Sequence, residues 1–490
     1  MKEIWQKYRK SIWGILLITG IISVPLMTDY CFRGDNLATV LSKIEAMGRG
    51  IGHVLPVRFG MLELQEYGYY GASFQPGVVY VFPALLHLMG VGMGAALKWS
   101  FFLLNLLTAF IAWICFQKIT QSQAIGIVGS LLYTGCPYRC SEMYQMGNLE
   151  EIAGWAVLPV VLLGLWMLYQ ECEEKKSGDA SWTVLALGLC LLTVSSTVVL
   201  SVGMILVVLT LLLMGRKTLQ RRVLAGLGKA WGTSLAVGAW FLIPMLARMR
   251  DAQVVGPMIV SDFRSYGTYL IQYLTVFPRA GMQVRTLQNG MAHAQAIGPG
   301  IAAVLLAVLY LGKRFVGEDN LGGKHLWREA LPVGRMLGVS VILLFLSSHL
   351  FPWDMLQDRN MLFSCLLALL CTPAKLAVVA DAGLILVACL VLKVLQGNEE
   401  EEGKRRWLLA VLLLSFGTIQ FQLGNIMITQ NFVRQEEIAL LSQTAIPLVE
   451  QESFLWRCCE GISVVAVCAC AVLWVIRRHK NAGRIRVSQK

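Results

Sequence analysis

Long apolar runs recur along almost the whole chain, and the connections between them hold most of the charged residues. Inside a hydrocarbon layer about 30 Å thick, every backbone N–H and C=O must be paired within the chain, so a span takes about 20 apolar residues wound into a helix. The runs suit long helices rather than barrel strands. They predict twelve spans, near residues 11–28, 97–117, 122–136, 152–169, 182–195, 197–214, 230–247, 297–312, 336–350, 376–393, 407–424 and 457–476. The expected fold class is all-α: a polytopic membrane protein of about twelve transmembrane helices.

Composition agrees with this pattern. Hydrophobic residues make up 56% of the 490 and charged residues 15%, with a mean hydropathy of +0.61, a balance that a water-soluble domain of this length does not show. The first run follows Lys2, Lys7, Arg9 and Lys10. It reads as an uncleaved anchor, because its apolar part is long for a secretion signal and no Ala-x-Ala-like site follows it.

The net charge of +12 is spread over short connections, which excludes an interleaved nucleic-acid surface and reports topology instead. Arg216 to Lys229, Lys313 to Arg328, Lys404 to Arg406 and the tail Arg477 to Arg486 all fall on one side of the twelve-span arrangement. That side is expected to be the cytoplasm of a bacterial cell membrane, with both termini in it. The same parity requires the apolar stretch 78–93, interrupted by Pro83, to lie along the outer surface rather than cross.

Five longer segments then gather outside: 29–96, 137–151, 248–296, 351–375 and 425–456. Two units are expected, residues 1–395 with the elaborate first loop, and 396–490 with a helix pair, its outer loop and a basic tail. The acidic run Glu399 to Glu402 reads as a solvated connection. Most of the 13 cysteines lie inside spans, and Cys136 and Cys140 read as small buried hydrophobes.

The first outer segment carries the densest chemistry. Asp35 precedes Leu37, Val40, Leu41, Ile44 and Met47, an apolar stripe at helical spacing that predicts an amphipathic helix lying on the membrane. Asp35 could face a cleft, or it could cap that helix. Glu142, Glu150 and Glu151 cluster with Tyr138 and Arg139 on the second segment. Acids so close to lipid need partners, although a place in a first helical turn accounts for one of them. Arg58, Arg139, Arg264, Arg279, Arg285 and Lys375 are the outer cations able to hold a phosphate, or else to snorkel.

Asp381 falls inside a span and is expected to be structural or cavity-lining. His53, His87, His293 and His349 lack the i, i+4 spacing of a helical zinc site, and no phosphate-cradling glycine motif or Gly-x-Ser-x-Gly elbow is present.

Asp35, then Leu-Pro-Val-Arg-Phe (Leu55 to Phe59), then Tyr-Gly-Tyr-Tyr (Tyr67 to Tyr70), then Phe-Gln-Pro (Phe74 to Pro76) ahead of Pro-Ala-Leu-Leu (Pro83 to Leu86) is an ordered set. It resembles the first loop of bacterial YfhO-type membrane proteins of the GT-C glycosyltransferase superfamily. The resemblance continues through Tyr138, Arg139, Glu142, Tyr144 and Glu151, then Phe241 to Pro244 and Phe351 to Asp354, over roughly residues 11–395. The chain departs from that pattern at Thr39, Gly77 and Met146, and carries Thr372-Pro373-Ala374-Lys375 where the family has a Phe-Pro-Trp-Arg-like run.

The resemblance implies transfer of a sugar from a polyprenyl-phosphate donor, drawn from the bilayer, to an extracytoplasmic cell-envelope acceptor. Asp35 would be the general base, with Glu142 and Glu151 beside it. Arg58, Arg139 and Lys375 would hold the departing phosphate, and Tyr67 and Tyr69 would line the substrate cleft. No nucleotide is implied. A divalent cation could join Asp35 to Glu142 or Glu151. The alternatives are a carrier or flippase for envelope lipids or glycans, and a non-catalytic membrane partner in envelope assembly.

Overall fold

The computed structural model of the chain describes residues 2–34, 36–52, 56–57, 59–61, 75–173, 180–248, 264, 267–273, 296–315, 323–357, 372–397, 400–429, 432–434, 437–438, 445–447 and 454–488. In chain order the main elements are α1 (Lys2–Ile22), β1 (Cys31–Phe32), α2 (Leu37–Ile51), β2 (Phe59–Met61), α3 (Val81–Leu88), α4 (Met93–Thr120), α5 (Gln123–Thr134), α6 (Pro137–Ser141), α7 (Leu149–Glu173), α8 (Ala180–Ser195), α9 (Thr197–Met214) and α10 (Arg221–Arg248). Then come α11 (Ile301–Phe315), α12 (Gly323–Ser347), α13 (Asp354–Gln357), α14 (Leu376–Gly397), α15 (Glu401–Thr429), β3 (Phe432–Val433), β4 (Ala445–Pro447) and α16 (Phe454–Ser488).

Every one of the expected spans falls on a helix. Among the described residues, seven helices are long and apolar enough to cross a membrane: Met93–Thr120, Leu149–Cys172, Thr197–Lys217, Arg221–Ala247, Pro373–Gly397, Glu401–Ile428 and Trp456–Leu473. The chain is an all-α polytopic membrane protein. Others are shorter; the 12 residues of α5 reach only about 18 Å at 1.5 Å per residue. The 8-residue α3, about 12 Å long, is too short to cross.

Two connections differ from expectation. Residues 323–335, read as a basic loop, are the first turns of α12, and α16 runs on through the basic tail to Ser488. Lys and Arg are good helix formers, so a helix stabilised in lipid readily continues into water. At Glu401 and Glu402, read as a plain connection, α15 begins, and its first turns are laced by Lys404–Glu401 (2.9 Å) and Arg406–Glu402 (3.5 Å).

The interior divides into two apolar clusters. One joins α4, α5, α7, α8, α9, α12 and α14; the other joins α1, α2, α4 and α15. Within the first, α7 and α8 meet backbone to backbone: a Cβ on Gly164 would lie 2.6 Å from Leu185 Cα, and one on Gly188 would lie 2.9 Å from Val161 N. Lipid offers no hydrophobic drive for helices to associate, so small residues that permit such close approach supply the contact. Tight reversals are built locally. Gln121, in the left-handed region, ends α4, and Ser122 opens α5 by accepting a hydrogen bond from Ile125 N–H; Ser196 does the same for α9 through Val199.

Two short antiparallel pairings tie the first loop to the segment after α15. Cys31 and Phe32 pair with Val433 and Phe432, while Phe59, Gly60 and Met61 pair with Pro447, Ile446 and Ala445. Both segments were expected on the outer side, and hydrogen bonds between them require a common side. The stripe Leu37, Val40, Leu41, Ile44 and Met47 of α2 is buried to within 3% exposure. It packs in the second cluster rather than against lipid.

Asp381 sits in the first half of α14, fully buried, with neither carboxylate oxygen hydrogen-bonded among the described residues. Cys136 and Cys140 are buried free thiols.

Candidate functional site

The chain reverses between α5 and α7 in a way that gathers acids. Pro137 starts α6 with its fixed φ in the first helical turn. A wide helical turn over Glu142–Met146 follows, and Gly147 (φ 66°) turns the chain back. The Glu142 carbonyl accepts the N–H groups of both Gly147 and Asn148, and Asn148 Oδ1 accepts from Glu151 N–H at 3.3 Å, capping α7. Glu142 and Glu151 end up on the same side of this reversal.

Between them stands Lys375, delivered from the other end of the sequence by the short turn Pro373–Lys375 that leads into α14. Its Nζ donates to Glu142 Oε1 at 2.7 Å, to Glu151 Oε2 at 2.7 Å and to the Tyr138 hydroxyl at 3.4 Å. Tyr138 donates to Glu151 Oε2 at 3.0 Å. Tyr138 is itself braced by Trp155, which stacks on Tyr133 at 4.6 Å; Tyr133 OH donates to the Trp155 carbonyl and Trp155 Nε1 to the Tyr133 carbonyl.

With both carboxylates ionised, one ammonium faces two negative charges at the buried end of the bundle, and Glu142 Oε2 has no partner among the described residues. Burial pushes the Glu142 carboxyl above its ordinary value, the Glu151 charge adds to the rise and Lys375 opposes both. A carboxyl that holds its proton more tightly when folded contributes most below the ordinary value of 4.5 and loses that contribution as pH climbs through the raised one. Glu142→Gln has no such titration. The thermal midpoint of the wild type minus that of Glu142→Gln should therefore fall between pH 4.5 and neutrality, read by tryptophan fluorescence in detergent; a difference flat or rising with pH contradicts this.

The third acid has its own partner. Glu150 accepts from Lys43 Nζ at 3.0 Å, and Lys43 also lies 5.4 Å from the centre of the Tyr80 ring. The first loop is thereby tied to the head of α7. Lys43 was not singled out in the sequence, although a lysine beside the α2 stripe, next to Ile44, was the available signal.

The same loop also docks by backbone. Asn36 N–H donates to the Met146 carbonyl at 3.0 Å, and a Cβ on Gly34 would lie 2.7 Å from Met146 C and 2.8 Å from Gly147 N. Neither neighbour can rotate aside, being backbone, so Gly34→Ala should cost about 1–3 kcal/mol of stability, the range for overpacking. A thermal midpoint equal to wild type would show that this docking is loose.

Among the expected site residues, the structure brings together Glu142, Glu151, Tyr138 and Lys375. Arg139 is 1% exposed and reaches Thr134 O (3.1 Å) and Thr108 Oγ1 (3.3 Å), tying the end of α5 to α4. Burial lowers its guanidinium from the ordinary value. Arg264 pairs with Asp354 at 3.1 Å. Asp35, Arg58, Tyr67, Tyr69, Arg279 and Arg285 lie outside the described residues. Among the described residues no three His, Cys, Asp or Glu side chains converge as a metal site. A divalent cation does not suit Glu142 and Glu151 as placed, because each already turns an oxygen to the Lys375 ammonium, which would repel it.

No protein-family model matches the chain, and no curated protein does. Among solved structures it is similar to the oligosaccharyltransferase of Archaeoglobus fulgidus, solved in complex with zinc and sulfate, at 12% identity and a TM-score of 0.39. The match covers 83% of this chain and 52% of that one, so the chain spans about half the length of that enzyme. Similarity of this size identifies neither a family nor a chemistry.

Proposed function

We propose that the protein is a membrane glycosyltransferase that moves a sugar from a polyprenyl-phosphate donor to an extracytoplasmic cell-envelope acceptor, in the cell membrane of a bacterium. The observation that carries this reading is the buried Glu142–Lys375–Glu151–Tyr138 cluster at the head of α7, beside the turn on which Gly34 and Asn36 dock. The ordered loop motifs that begin at Asp35 support it too.

In this reading Asp35 is the general base that takes the proton of the acceptor hydroxyl as the sugar carbon is attacked. Correct placement within hydrogen-bond reach is its first requirement. Glu142 and Glu151, with their shared lysine, are a buried brace at the head of α7, beside the turn on which the first loop docks, and so help to fix where Asp35 stands. Lys375 is a positioning residue: its ammonium is already overmatched by two carboxylates at 2.7 Å, leaving little attraction for a phosphate. Phosphate leaving from the donor then falls to Arg58, with Tyr67 and Tyr69 lining the sugar.

A carrier is the second reading, and Asp381 is what favours it, since carriers place polar groups at mid-membrane. The two part on one experiment. Purified protein in lipid nanodiscs receives a panel of polyprenyl-phosphate sugars and envelope acceptors, and product is followed by mass spectrometry. Sugar transfer from at least one donor supports the enzyme. No donor consumption across the panel, together with lipid-linked sugar moving between leaflets of proteoliposomes, sinks it.

A further inference from the structure

At the opposite end of the same helices lies a second feature that glycosyl transfer does not use. A partly open cavity of about 240 Å³ lies where α4, α7, α9 and α14 end and α12 passes. Glu151 to Gln170 along α7 is about 29 Å, and Lys375 to Lys393 along α14 about 27 Å, so the polar end of this cavity stands about a hydrocarbon thickness from the acid cluster, while its apolar part reaches inward to Leu162 and Leu386. Its walls are mostly aliphatic, with Met214 and Met336 among them, while Gln121, Gln170 and Lys393 contribute polar groups to the lining. Among the described residues no acid lines it.

Three further observations point to an anionic, chain-bearing occupant. Thr210 lines the cavity, is 4% exposed, and its hydroxyl finds no partner among the described residues. Gln396, one turn beyond Lys393, has a buried Nε2 likewise without a partner. Arg335, between the lining residues Val333 and Met336, sets its Nη1 against the Met214 thioether at 3.2 Å and has no carboxylate partner among the described residues. A guanidinium resting on a sulfur is a donor fork without a matching anion. Glu171, the nearby acid on α7, accepts instead from Ser181.

We propose that this cavity is a binding site for an anionic phospholipid of the leaflet at that end. One acyl chain fills the aliphatic part, Thr210 donates to an ester oxygen, and the phosphate is taken by Lys393 and Arg335. Thr210 lies one turn inside the end of α9 at Met214, about 6 Å along the axis, the right order for an ester placed below its phosphate. The inference is independent of the glycosyltransferase reading.

The test uses the full-length protein in neutral detergent, stripped of lipid, with phosphatidylglycerol or phosphatidylcholine of the same chains added back. Binding is counted by native mass spectrometry, with the thermal midpoint recorded in parallel. Phosphatidylglycerol should bind with one site and raise the midpoint, and phosphatidylcholine should do so far more weakly. Arg335→Gln with Lys393→Gln should weaken phosphatidylglycerol about tenfold or more, the loss of at least one charge-assisted contact, and should narrow its advantage over phosphatidylcholine, whose phosphate is the same but whose choline ammonium the two cations repel. Leu390→Trp, which fills the cavity, should abolish binding of both lipids at this site. If the double variant does not fold, Thr210→Val carries the same test through a severalfold weakening. Equal binding of the two lipids, or phosphatidylglycerol affinity untouched by the variants that fold, overturns the proposal.

Discussion

Replacing Lys375 by Met should lower the stability of the protein by about 3–5 kcal/mol, the usual cost of removing one partner from a buried ion pair. The lysine side chain is 15% exposed, and its two acceptors are 2% and 8% exposed, so water cannot take over its role. Without the ammonium, Glu142 and Glu151 face each other with no cation between them, and both helix heads, α7 and α14, lose their common tie. In detergent this should appear as a drop in the thermal midpoint on the order of 10 °C. Adding Glu142→Gln to Lys375→Met removes one of the two opposed charges and should restore roughly half of the loss. If Lys375 instead served only to hold a phosphate, Lys375→Met would cost activity and leave the midpoint where it was. Equal midpoints for Lys375→Met and wild type, or no recovery in the double variant, would sink the positioning role.

The second large effect concerns Asp35. On a donor that supports turnover, Asp35→Asn should reduce sugar transfer by about 10²–10⁴-fold, the range for a lost general base, with the thermal midpoint unchanged. Asparagine makes this substitution discriminating. It caps a helix as well as aspartate does, but it cannot accept a proton at neutral pH. The cap position of α2 is held by Asn36, whose side chain makes no capping hydrogen bond, and a residue with only a structural part beside it would tolerate Asn, whereas a base fails with it. Retention of transfer by Asp35→Asn would remove Asp35 from the chemistry and leave Glu142 and Glu151 as the acids to test next.

Hydropathy alone located the helices because each span must satisfy its backbone internally and present apolar atoms to lipid, conditions met within one stretch of sequence. Large apolar side chains such as Leu413, Val464 and Val465 remain exposed on α15 and α16, a surface suited to a bilayer. Periodicity likewise drew out α2, whose five stripe residues are all buried. What covers that stripe was not legible: protein does, since α3, α4 and β4 pack against α2. The strands at 31–32 and 59–61 are too short to leave a period-2 pattern, and they form only because the segment after α15 arrives to pair with them.

The acids tell the same story. That Glu142, Glu150 and Glu151 need partners followed from the cost of unpaired charge near lipid, but the partners lie 233, 107 and 224 residues away. No local rule links positions so far apart, and an ion pair leaves no periodic trace.

By itself, then, the sequence determined that this is an all-α membrane protein, where its helices run and which polar residues carry unmet electrostatic needs, since each depends on the free energy of moving a short segment out of water. Only the tertiary structure decided that one lysine serves two glutamates, that Lys43 holds the first loop to α7, and that a cavity rimmed by cations opens at the far end, because those depend on which helix ends meet.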